Sequence, residues 1–207
     1  MPVSIKEQYR VRRPASIFCL LLLASAVTPV EVSAQSGAAR AEFTGAVGVA
    51  VPSGAMSQHA NVGIGGLLGV GVSWKDAPVG FRFEGLAELF PTGDHAGVCG
   101  GGQPCSSSPN AEGLAVNVLL FDSGSDASAF YFIGGAGAYQ SSLLVPLATP
   151  GGIRLGYLSN SGLGWNVGIG RRIPRAGKGW HLEARYFALP VPSGSGGSWI
   201  AAVGVNF

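Results

Sequence analysis

Trp199-Ile200-Ala201-Ala202-Val203-Gly204-Val205-Asn206-Phe207 places an apolar side chain at every odd-numbered position, while the even positions are mostly small or polar. Successive side chains of a β-strand point to opposite faces, so the stretch reads as a strand with one greasy face. An aromatic residue closing such a strand is the pattern of a membrane β-barrel whose last strand zips against its first. The rest of the chain is therefore read against a membrane.

The 207 residues suit one domain and leave no room for a second large core. Lys6, Arg10, Arg12 and Arg13 precede an apolar run from Ile17 to Val27, and Val32-Ser33-Ala34 supplies the small residues of a signal-peptidase site. The run is far short of the roughly 20 residues a membrane-spanning helix needs, so 1–34 is predicted to be a cleaved signal peptide and 35–207 the mature domain. Arg12-Arg13 lacks the flanking residues of twin-arginine export, and ordinary Sec export is expected. The leader carries those four cations against Glu7 and Glu31, so its loss takes the formal net charge from +2 to zero. No basic patch remains that would favour nucleic acid.

With a mean hydropathy of +0.34 and 12% charged residues, an exported chain calls for membrane helices or a barrel. The longest uncharged stretch, Ala127 to Ile153, is interrupted by Gly134, Gly135, Gly137, Pro146, Pro150, Gly151 and Gly152, a pattern that disfavours helix. Period-two segments recur instead, about eight of them, and an even number closes a barrel.

The first segment sets Phe43, Val47, Val49 and Val51 against Glu42, Thr44, Ala46, Gly48 and Ala50, and the second puts Ile64, Leu68, Val70, Val72 and Trp74 outward. In the third, Phe81, Phe83, Ala87 and Leu89 alternate with Arg82, Glu84, Leu86 and Glu88, so three charges share the face opposite a greasy one. Such a face needs a polar interior. The fourth alternates Leu114, Val116, Val118 and Leu120 with Ala115, Asn117, Leu119 and Phe121. Phe130 to Tyr139 has apolar and glycine residues in both phases, and the pattern assigns it no faces. The sixth sets Trp165, Val167 and Ile169 against Asn166, Gly168 and Gly170; the seventh sets Trp180, Leu182, Ala184 and Tyr186 against His181, Glu183 and Arg185; the eighth ends at Phe207. Aromatics gather near the segment ends, as interfacial girdles require.

Connections alternate in length. Compact polar turns are expected near Lys75–Pro78, Asp122–Asp126 and Pro174–Lys178, and longer loops near Pro52–Ala60, Pro91–Asn110, Gln140–Gly162 and Pro190–Gly197. Short turns on the periplasmic side and long loops outside make the two sets agree with an all-β, eight-stranded antiparallel transmembrane barrel.

Tyr131-Phe132-Ile133-Gly134-Gly135-Ala136-Gly137, Gly164-Trp165-Asn166-Val167-Gly168-Ile169-Gly170, Leu182-Glu183-Ala184-Arg185-Tyr186 and Val203-Gly204-Val205-Asn206-Phe207 resemble strands of the small outer-membrane β-barrel family, relatives of the OmpA membrane domain and OmpX. The resemblance covers essentially the whole mature chain and implies residence in the bacterial outer membrane, among its lipid and lipopolysaccharide. It also implies that Phe207 is part of what the barrel assembly machinery reads. The matching motifs are structural, and the family holds adhesins and membrane stabilisers alike, so a surface ligand of the external loops is expected without being specified.

The lumen-facing charges Glu42, Arg82, Glu84, Glu88, His181, Glu183 and Arg185 allow two readings: an ion path, or salt bridges that plug the barrel. Eight strands leave an interior just wide enough for side chains, which favours the plug. Cys99 and Cys105, in a glycine-rich external loop, read as a disulfide pinning the loop tip. A metal site with Asp94 and His95 would need His-x3-Cys-x5-Cys, which is no recognised zinc spacing, and Asp122 to Asp126 resembles a calcium loop only superficially. Gly-x-Ser-x-Gly and Gly-x-Gly-x-x-Gly are absent, so no catalytic residue, cofactor or metal is assigned.

Two rivals to a non-enzymatic barrel remain. A lipid A deacylase-like enzyme would need a catalytic pair at the outer rim, where His59 and His95 fall outside any His-x-Ser setting, and a soluble secreted barrel would bind a ligand inside. Non-reducing peptide mapping of envelope-purified protein should find Cys99 and Cys105 in one cross-linked peptide; free thiols there would remove the predicted bond.

Overall fold

The computed structural model describes residues 39–58, 60–74, 77–91, 98–99, 103–104, 109–122, 130–149, 152–173, 179–191 and 194–207. The predicted leader, His59, His95 and Cys105 lie outside the described residues, and the expected disulfide lies outside them with Cys105.

The strands are β1 (Ala39–Gly54), β2 (Gly63–Trp74), β3 (Val79–Leu89), β4 (Val98–Cys99), β5 (Gln103–Pro104), β6 (Asn110–Phe121), β7 (Phe130–Thr149), β8 (Gly152–Ile173), β9 (Gly179–Val191) and β10 (Gly194–Asn206). All but the small β4–β5 hairpin form one closed antiparallel barrel in the order β1-β2-β3-β6-β7-β8-β9-β10, with β10 returning to β1. Val47 faces both Val203 of β10 and Gly66 of β2, so β1 has a partner on each edge. No helix among the described residues is long and apolar enough to cross a membrane.

Parity sorts the side chains as the alternation predicts. Phe43, Val47, Ile64, Phe83, Val116, Val167, Leu182 and Val203 stand on the exposed outer wall, while Glu42, Arg82, Glu84, Asn117, Asn166, His181 and Arg185 are buried. The Phe130–Tyr139 segment, ambiguous by pattern, takes the same sense: Phe130 and Phe132 face out, and Tyr131, Ile133 and Tyr139 face in. Its phase was hidden because the positions between Ile133 and Tyr139 are all glycine or alanine. Those small residues make room for larger neighbours. A Cβ on Gly135 would lie 2.2 Å from Asn117 Oδ1, and one on Gly170 would lie 2.3 Å from the Tyr131 ring.

Two expected loops are strand. The β7–β8 ladder continues to Thr149↔Gly152, so most of the predicted Gln140–Gly162 loop is a β-hairpin. It stands clear of the barrel because β7 leaves β6 at Asn110↔Ser142 and β8 meets β9 only from Trp165↔Ala188. Likewise β9 and β10 pair to Val191↔Gly194, shrinking the predicted Pro190–Gly197 loop to a tight turn. Proline and broken alternation concealed these extensions. Pro52, Pro146 and Pro190 all sit where their strand has lost one neighbour, and an edge strand tolerates a missing N–H. Side chains bridge part of the opening between the β7–β8 hairpin and β9: the Ser141 hydroxyl of β7 donates to the Pro190 carbonyl, and Asn160 Nδ2 of β8 donates to the Val191 carbonyl at 3.1 Å.

Beyond β1 the chain turns at Gly54, whose φ of 61° belongs to the left-handed region that glycine enters without strain. A single 3₁₀ turn, Ala55–Gln58, then tucks Met56 into the interior at the long-loop end. Val116→Arg and Val203→Arg should each cost about 2–4 kcal/mol near mid-membrane, whereas Leu163→Arg, close to the long-loop rim, should cost about 1 kcal/mol or less. Heat-modifiable gel mobility after refolding into vesicles measures the difference, and equal costs at all three positions would show that the wall does not meet lipid.

Candidate functional site

The polar residues of the lumen form a layered set of contacts, and its centre can be traced to two short patterns. β3 carries Arg82-Phe83-Glu84 and β9 carries Glu183-Ala184-Arg185, so each strand turns one cation and one anion inward, in opposite order along the chain. In the ring, β3 and β9 lie opposite one another and run in the same direction. Arg82 therefore meets Glu183 across the lumen, and Arg185 meets Glu84.

The distances show full engagement. Arg82 Nη1 lies 2.6 Å from Glu183 Oε1 and 3.3 Å from Glu84 Oε2. Arg185 grips Glu84 with both terminal nitrogens, at 2.5 and 2.9 Å, and donates Nε–H to Glu183 Oε2 at 2.8 Å. Tyr131 adds its hydroxyl to Glu183 Oε1 at 2.5 Å. Arg185 is fully buried, with its guanidinium 5.7 Å from the Phe187 ring centre. Two guanidinium and two carboxylate groups balance, so the network carries no net charge into the barrel interior, and bidentate geometry offsets much of the desolvation each ion suffers.

Toward the short-turn end a second pair follows. Arg172 donates to both oxygens of Glu42, at 3.2 and 2.7 Å, with its guanidinium 4.7 Å from the Phe121 ring centre and Arg40 3.6 Å from the same carboxylate. Between this pair and the central network lies a small recess of about 10 Å³, about the size of one water, lined by Glu42, Thr44, Ser73, Arg82, Phe121 and Arg172. Toward the long-loop end the interior turns apolar: Met56, Leu67, Leu86, Phe90, Phe187, Leu189 and Ile200 pack into one cluster. Glu88 sits at that level and is not part of the ion network; its carboxyl accepts a hydrogen bond from Ser198 Oγ at 2.5 Å.

Each lumen residue singled out by alternation is thus buried in the barrel, but they do not form one set. Arg82, Glu84, Glu183 and Arg185 come together. His181 is at the margin, with Nε2 3.8 Å from Glu183 Oε1, and Glu42 and Glu88 have separate partners. Sequence reasoning missed Arg172, although it shares the parity of Asn166, Gly168 and Gly170 and could have been found by continuing the count. It also missed the Asn166–Asn117 bond at 2.8 Å, which Tyr139 joins at 3.2 Å, because neutral amides give no charge signal. Among the described residues no group of three or more His, Cys, Asp or Glu side chains is arranged to hold a metal ion.

Comparison with solved structures settles the architecture. A major outer membrane protein from Thermus thermophilus superposes with a TM-score of 0.51 at 16% identity, over 82% of this chain and 98% of that one. This is the fold of the small outer-membrane β-barrels. The attachment invasion locus protein of Yersinia pestis (TM-score 0.49, 12% identity, 81% of this chain and 99% of that one) and Neisserial surface protein A (0.48, 12%, 81% and 97%) are also similar. No family model matches the sequence, and no curated protein does.

Removing one member of the central network leaves its partners as buried charges. Arg185→Leu should lower stability in detergent by about 3–5 kcal/mol. Glu84→Leu in the same chain should recover much of that loss, because Arg82 and Glu183 remain as a neutral pair. Thermal unfolding of the two single variants and the double variant measures the coupling, and simple additivity would show that the contacts are incidental.

Proposed function

We propose that the protein is an integral barrel of the bacterial outer membrane with a structural or surface-interaction role and no enzymatic activity. The observation that carries this reading is the filled lumen. A neutral ion network bridges opposite walls at mid-height, and an apolar cluster closes the long-loop end. An interior packed in this way has no room for a substrate or for a hydrated ion path. The charges hold the walls in register and do not conduct.

The apolar outer wall suits lipid, and the long-loop end, with its β4–β5 hairpin and projecting β7–β8 hairpin, is the part that would meet an external ligand. Outer-membrane lipid, lipopolysaccharide and the barrel assembly machinery are the partners this reading implies, with Phe207 as part of the assembly signal. Its backbone already extends the closing seam through bonds to Phe43 of 3.2 and 2.9 Å.

Protein reconstituted into planar bilayers should give no discrete conductance steps, and lipid A from cells producing it should be unchanged in mass. Regular channel openings in the parent protein would overturn the plug. A shifted lipid A mass that disappears in His59→Ala or His95→Ala would favour the enzyme instead.

A further inference from the structure

The outer wall holds a cation whose surroundings ask for an anion from the membrane itself. On β8 the odd positions face outward, so Trp165, Val167, Ile169, Arg171 and Ile173 line the wall in sequence toward the short-turn end. Arg171 is exposed there among apolar neighbours. Phe130 and Leu182 flank it on the adjoining strands, Ile169 and Ile173 lie above and below it, and all four are themselves exposed. No carboxylate among the described residues pairs with it. Two other described charges share the outward parity: Asp122 ends the same row on the far side of Phe130, with no ion pair to Arg171 among the described contacts, and Glu112 lies at the opposite end in a polar row with Gln140 and Ser161.

We infer that Arg171 binds the phosphate of a glycerophospholipid in the leaflet at the short-turn end. This rests on the outer-membrane reading above, in which that end is periplasmic. The guanidinium lies 4.9 Å from the Phe130 ring centre, so one face of the planar group is covered and its N–H edge is left for a ligand. A guanidinium matches the two oxygens of a phosphate bidentately. Ile173 and Trp180 pair one step nearer the strand end, so Arg171 is set slightly inside the girdle, within reach of headgroup phosphates by snorkelling. An unpaired arginine in hydrocarbon is costly, and a phosphate is the anion a bilayer supplies at that depth.

The test uses the full protein in nanodiscs of phosphatidylethanolamine with phosphatidylglycerol, followed by release and native mass spectrometry. The parent and Glu112→Gln should each retain a bound phospholipid. Arg171→Gln should lose that occupancy about tenfold, as expected for charge-assisted hydrogen bonds, and Arg171→Lys should restore part of it. Equal retention by Arg171→Gln, with heat-modifiable mobility intact, would overturn the assignment. So would displacement of the lipid by millimolar inorganic phosphate, which would mark a general anion site. If the parent itself failed to insert into vesicles, the membrane reading would fall first and this inference with it.

Discussion

Each strand of a sheet carries backbone N–H and C=O groups that must find partners on both edges, and that constraint governs everything else in this barrel. It is met only because β10 returns to β1 and leaves no open edge within the wall. Closure in turn requires strands that pass near one another without obstruction. Gly48 illustrates the fit, since a Cβ there would lie 2.1 Å from the Ala201 carbonyl oxygen across the seam. The high glycine content, which argues against helices, thus also serves the strand contacts of the closed wall.

Closing a small ring creates a second problem, because the lumen must be filled without stranding polar groups. This chain solves it in layers, with ions at the centre and hydrocarbon toward the long-loop end. The ion layer works because its charges balance and because the two strands that carry them face one another. Large residues stand opposite small ones: Arg185 occupies space that a Cβ on Gly168 would invade at 2.6 Å, and His181 does the same beside Gly204 at 2.3 Å. The wall and its filling are therefore a single packing solution.

Above the wall the constraint relaxes, and the strands diverge. β7 and β8 go on pairing with each other after losing their other partners, and β1 and β9 each extend with one neighbour only. Water can satisfy the free edges there, which is why prolines appear in these stretches. Length and local composition at this end are free of the closure that fixes the wall itself.

The sequence by itself determined the strand parity, and hence the inward and outward faces, on the wall strands other than Phe130–Tyr139, because a period of two survives any arrangement of strands. It also determined that Arg82, Glu84, Glu183 and Arg185 had to be enclosed, since their opposite faces were apolar. It did not reveal who pairs with whom. That depends on which strands lie across the lumen, a property of ring order, and ring order joins residues a hundred positions apart. The same limit explains Glu88, which shares the parity of Arg82 and Glu84 but stands at a height where Ser198 is its partner. Only the tertiary structure could separate height from parity, because alternation records the side of the sheet and carries no information about depth within the barrel.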